Sequence, residues 1–128
     1  MTLFVQASGA LLGLLAVFFG AFGAHRLKKS LSAEQERSFE TGVKYQFYHA
    51  LLLLVLGFNM GFHTNLETYI AYCLILGTLL FSFSIYALCL MASRKKKIRY
   101  FGLMTPLGGL LLLLGWAMLL YSFFANLL

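Results

Sequence analysis

Two histidines, a glutamine and a glutamate are the side chains best placed to do chemistry together. His25 closes one apolar run of the chain. Gln46 and His49 open the next, three residues apart and therefore on one helical face. If the two runs are antiparallel neighbours, His25 approaches that face, and Glu40 joins it from the connection between them. Imidazole and carboxylate groups bind metals, and imidazole relays protons near neutral pH. The spacing is no metal motif, however, because the pairs 46/49 and 45/49 are ordinary helical neighbours. The preferred reading is a hydrogen-bonded network that fastens the connection to the helices. Contact with a ligand or lipid headgroup comes second, and metal or proton chemistry third. No catalytic residue, bound metal or cofactor is expected.

What the sequence lacks narrows the chemistry further. The acidic residues are Glu34, Glu36, Glu40 and Glu67, all between apolar runs. A proton-driven cation exporter needs an acid inside the membrane, and no charged residue occupies the middle of any run. No Ser/His/Asp set, phosphate-binding loop or haem-type histidine pair stands out. Cys73 and Cys89 fall in one run, roughly 24 Å apart along a helix, beyond disulfide reach. They read as small buried hydrophobes.

The elements that must carry these residues are membrane helices. Of 128 residues, 61% are hydrophobic and 11% charged, too few charges for a soluble surface. Four apolar runs, at about 3–24, 45–62, 69–92 and 105–126, approach the ~20 residues that cross a bilayer. The expectation is one all-α domain, an integral four-helix bundle in the cell membrane. Residues 21–24 offer small side chains at signal-peptidase spacing. The first run is longer than a signal core and lacks a preceding positive charge, so it reads as a retained span.

All ten Lys and Arg residues lie in two stretches, 26–44 and 94–99, between the first and second runs and between the third and fourth. Basic residues flanking spans stay cytoplasmic, which predicts both termini outside. The same rule accounts for the net charge of +6, so nucleic acid is not an expected partner. A second reading of Arg94, Lys95, Lys96, Lys97 and Arg99 is attraction to anionic headgroups, worth about 1 kcal/mol per residue. The charge asymmetry also makes any homo-oligomer parallel.

Packing signals are clearest in the first run, where Gly9, Gly13, Ala16, Gly20 and Gly23 recur at four- and three-residue spacing. Small residues let helices approach closely where no hydrophobic drive joins them. Packing within the bundle is preferred to a dimer seam, and Gln6 on the same stripe should face protein. Ser32 and Gln35 form a capping-box pattern for a short amphipathic helix at the interface in the first connection. Gly42 either ends it, bends it, or lets it run straight into the second span. The short link at 64–67 makes a hairpin, with Asn65 as a cap. Thr105-Pro106 fits a helix start; an earlier start requires a bend at Pro106. Tyr45, Tyr48 and Tyr100 at one boundary, and Tyr69, Tyr72 and Tyr121 at the other, form an aromatic belt. Tyr86 lies deeper, as a hydrogen-bond donor within the bundle.

The segments Gly20-Ala21-Phe22-Gly23-Ala24-His25, Phe39-Glu40-Thr41-Gly42 and Tyr45-Gln46-Phe47-Tyr48-His49-Ala50-Leu51 resemble domain-of-unknown-function family 423, which includes transmembrane-protein-256-like chains. Pro106-Leu107-Gly108-Gly109 also looks like the last span of that family, in which alanine is more usual at position 42. The resemblance implies a four-span inner-membrane protein and brings no agreed activity, cofactor or substrate. The leading expectation is therefore a non-enzymatic integral membrane protein that binds lipid, itself or another membrane protein. A subunit of a small-molecule or lipid transporter or channel is the alternative.

Overall fold

Two capping boxes fix where helices begin. The Ser32 hydroxyl accepts from the Gln35 backbone N–H at 3.3 Å, while the Gln35 side chain accepts from the Ser32 N–H at 2.9 Å. Thr64 and Glu67 repeat the arrangement, with both bonds at 3.2 Å. Thr64, not Asn65, is therefore the cap: its hydroxyl reaches the third residue of the helix, whereas Asn65 is already inside it. The structure, a computed structural model, describes residues 1–94 and 99–125.

Among the described residues every regular element is helical. Helix α1 (Thr2–Phe22) continues through a π-helical turn, Gly23–Leu27. Helix α2 is Ala33–Asn59. Helix α3 (Asn65–Thr78) passes through a second π turn, Leu79–Phe83, into α4 (Ser84–Ser93), and α5 is Arg99–Ala125. Helix α1 packs on α2, α4 on α2, and α5 on α3 and α4. Side-chain pairings run antiparallel at each of these seams, so the connection at 28–32, the end of α4 and the start of α5 share one end. The connection at 60–64 lies at the other. There Phe62 adopts a left-handed φ of 54° and sends its ring into the core.

Two expected boundaries are corrected. There is no separate interfacial helix, because α2 runs unbroken through Gly42. A Cβ at position 42 would lie 2.8 Å from the Tyr86 ring, and Ser82 Oγ donates to the Gly42 carbonyl at 2.8 Å. This glycine admits a neighbouring helix rather than ending its own. Helix α5 starts at Arg99, so Pro106 sits inside it and Thr105 is no cap. Thr105 instead shares a 2.7 Å hydrogen bond with Ser84. The N–H that Pro106 lacks would have met the carbonyl of Gly102.

Among the described residues three helices are long and apolar enough to cross a membrane: Thr2–Leu27, Asn65–Ala92 and Phe101–Ala125. Helix α2 falls outside that set because its first half is charged and Gln46 and His49 add polar groups to its inward stripe. Its buried positions include Phe39, Gly42, Gln46, His49, Leu53 and Leu56, alternating by three and four residues. The molecule is inverted relative to a soluble protein. Gln46, Thr78 and Ser82 are fully buried, while Leu14, Phe58 and Leu113 are at least two-thirds exposed. Such a surface suits hydrocarbon as solvent.

Candidate functional site

The α1–α2 seam is a ladder of close approaches. Gln6 Nε2 donates to the Gly57 carbonyl at 2.9 Å. A Cβ on Gly9 would lie 3.0 Å from the Ala50 carbonyl oxygen and 3.1 Å from the Leu54 nitrogen. Further along, Gly20 meets Val43 and Gly23 meets the Phe39 ring. Ala16 is buried. Gly13 is only half-buried, and a Cβ there would make an ordinary 3.8 Å contact with Ala50. The small-residue stripe thus faces α2 within one chain.

Gln46 sits at the centre of this core. Its Nε2 donates to the Leu12 carbonyl at 2.9 Å, and its Oε1 accepts from the Tyr86 hydroxyl at 2.7 Å. One side chain thereby ties α2 to both α1 and α4. Tyr86 is wrapped by the rings of Phe19, Phe39 and Phe83. One helical turn on, His49 Nε2 accepts from the Trp116 indole N–H at 3.1 Å, so Nδ1 carries the proton and donates to the Tyr45 carbonyl at 2.7 Å. Both ring nitrogens are occupied. Among the described residues, every buried side-chain nitrogen or oxygen has a partner.

The four expected cluster residues do not come together. Gln46 and His49 are buried, whereas His25 and Glu40 are exposed and share no hydrogen bond with that pair among the described residues. The helix register is the reason. Leu12 lies beside Gln46 and Gly23 beside Phe39, so His25 stands level with the first turns of α2. It is at least about twelve residues, roughly 18 Å or more, short of His49 along the axis. Reading α2 as beginning at Tyr45 hid that offset. Among the described residues no three His, Cys, Asp or Glu side chains are grouped for a metal. Trp116, the partner that fixes His49, carried no local signal in the sequence.

Of the expected headgroup contacts, Arg94 is exposed after α4 and Arg99 opens α5, while Lys95, Lys96 and Lys97 lie outside the described residues. Two clefts open at this same end. One, of about 260 Å³, lies between the π turn of α1 and the start of α2, with Gly20, Gly23 and Phe39 in its wall and Lys28, Glu36, Glu40 and Lys44 around it. The other, of about 720 Å³, lies between α2, α4 and α5 and includes Gln35, Cys89, Gly102 and Pro106.

The family profile described as "Protein of unknown function (DUF423)" matches residues 19–109, which contain the Gln46–Tyr86 bond and most of both clefts. A UPF0382 membrane protein of Staphylococcus haemolyticus is 40% identical over 116 residues, covering 91% of each chain. One from Staphylococcus saprophyticus is also 40% identical, over 91% of this chain and 92% of its own. The UPF0382 inner membrane protein YgdD of Escherichia coli K12 is 37% identical over 118 residues, 91% of this chain and 86% of its own. No solved structure matches. With its apolar exterior and these relatives along nearly its whole length, the chain is a membrane protein and belongs to the DUF423 family.

Proposed function

We propose that this protein crosses the membrane four times with both termini outside, and that it is a non-enzymatic binding or assembly protein whose partners are lipids, a parallel second copy or another membrane protein. The observation that carries the reading is the pairing of a closed polar interior with an apolar exterior. Gln6, Gln46, His49, Ser82 and Ser84 all spend their hydrogen bonds within the chain. The groups left free to recognise something lie on the lipid-facing surface and around the basic connections.

Purification into lipid nanodiscs, followed by mass measurement, tests this. Retained lipid, self-association or a stoichiometric partner is the expected outcome; a bare monomer without lipid contradicts it. A transporter or channel subunit is the second reading, favoured by the 720 Å³ cleft. Solute or lipid flux in proteoliposomes, lost on closing the cleft with Gly102→Phe, would establish that reading in place of the first.

A further inference from the structure

The smaller cleft has the charge order of a phospholipid headgroup. Glu36, Glu40 and Lys44 follow one another along α2 at four-residue intervals, about 6 Å of helix rise each. The order runs inward from the free end of the helix, with two carboxylates outermost and then an ammonium. Lys28 supplies a second ammonium from the opposite wall. Deeper still, Gly20 and Val43 form apolar wall where α1 and α2 converge. The π turn at Gly23–Leu27 widens α1 at this level, and Phe39 is packed against Gly23.

Glu40 and Lys44 are spaced to pair along the helix. Among the described residues, however, none of these four charges is joined in an ion pair. Two cations and two anions thus stand around one cavity of about 260 Å³. An anionic headgroup would satisfy the lysines and face two carboxylates. Along α2 the carboxylates lie outside the ammonium, so a headgroup holding an outer amine and an inner phosphate matches that order, and Lys28 adds a second cation from the facing wall. The amine must also donate hydrogen bonds to carboxylates, which a quaternary ammonium cannot do.

We propose that the cleft between the π turn of α1 and the start of α2 binds a phospholipid with a phosphoethanolamine headgroup. Lys28 and Lys44 take its phosphate, Glu36 and Glu40 take its amine, and the Gly20–Val43 wall takes the glycerol end. This rests on the lipid-binding reading above and narrows it to one site and one headgroup class.

The test is native mass spectrometry of the purified full chain with phosphatidylethanolamine, phosphatidylglycerol and phosphatidylcholine of identical acyl chains. The expected result is retention of phosphatidylethanolamine at least about fivefold above either competitor, a preference of about 1 kcal/mol. In Glu36→Gln/Glu40→Gln that preference disappears and phosphatidylglycerol rises to match. Glu40→Lys, a change at an exposed position that leaves helix content intact, goes further and makes phosphatidylglycerol the preferred lipid. Lys28→Gln/Lys44→Gln lowers retention of all three. Equal retention of the three lipids by the unaltered chain, or a preference unmoved by the glutamate changes, overturns the site while leaving general lipid binding standing. Retention of no lipid at all overturns the site and counts against the broader reading as well.

Discussion

Helices α1 and α2 touch along their whole shared length, yet their two ends are built on opposite terms. Toward the 60–64 connection the helices are in backbone contact: Gly9 lies against Ala50 and Leu54, Gly57 against Gln6, and Gln46 bonds across to Leu12. Toward the 28–32 connection α1 loosens into a π turn, a cavity opens, and charges ring it without partners among the described residues. Both ends use glycine, but to different effect. At Gly9 the missing side chain admits a neighbouring backbone, whereas at Gly23 it admits only a phenyl ring. Close packing in lipid comes from such backbone approach, so the closed end carries stability, and the open end is the one proposed above to bind lipid.

The sharpest way to break this contrast is Gly9→Leu. Overpacking costs about 1–3 kcal/mol, and here backbone atoms of α2 must move, so the loss should reach the top of that range. Thermal unfolding in detergent measures it, and an unchanged midpoint would contradict the closed seam. Next comes Gln46→Leu, which strands the Tyr86 hydroxyl in the core at a cost of about 1–3 kcal/mol. Adding Tyr86→Phe should recover part of that loss, because both polar partners are then gone. A double-mutant cycle that is strictly additive would show the bond to be energetically idle.

Gly23→Ala should cost about 1 kcal/mol at most, less than the same change at Gly9, since the Phe39 ring has a cavity beside it to move into. Equal losses at the two positions would erase the difference between the ends. The smallest effect is of opposite sign. Gly13→Ala meets open contact with Ala50 and gains helix propensity, so it should stabilise by up to about 1 kcal/mol.

Much of the frame was legible in the sequence because its signals are local. Ser32 and Gln35 announce a capping box, and the glycine spacing in α1 announces a close-packed stripe. Charge sorting places both basic connections at one end, and the antiparallel seams bring the 28–32 connection, the end of α4 and the start of α5 to one end. The candidate site was less legible because it depends on register between helices. His25 and His49 look adjacent only if α2 begins at Tyr45, and the extra turns from Ala33 move them apart. Gly42 reads locally as a break, but the ring it accommodates belongs to Tyr86, over forty residues later. Trp116 meets His49 from a helix whose offset no local pattern encodes. Glu40 is expected beside His25 and His49, but it lines the cleft with Glu36 and Lys28 instead.

Helix α2 is the decisive element, since its charged first half and polar residues leave it outside the set of plainly apolar spans while the proposed topology requires it to cross. Position 28 precedes α2 and position 67 follows it. Thiol labelling of Lys28→Cys and Glu67→Cys, each in a Cys73→Ala/Cys89→Ala background, reads the crossing directly. In intact cells an impermeant reagent should modify position 67 and spare position 28 until the membrane is opened. Labelling of both positions from the same side would contradict the crossing of α2 and, with it, the four-span topology.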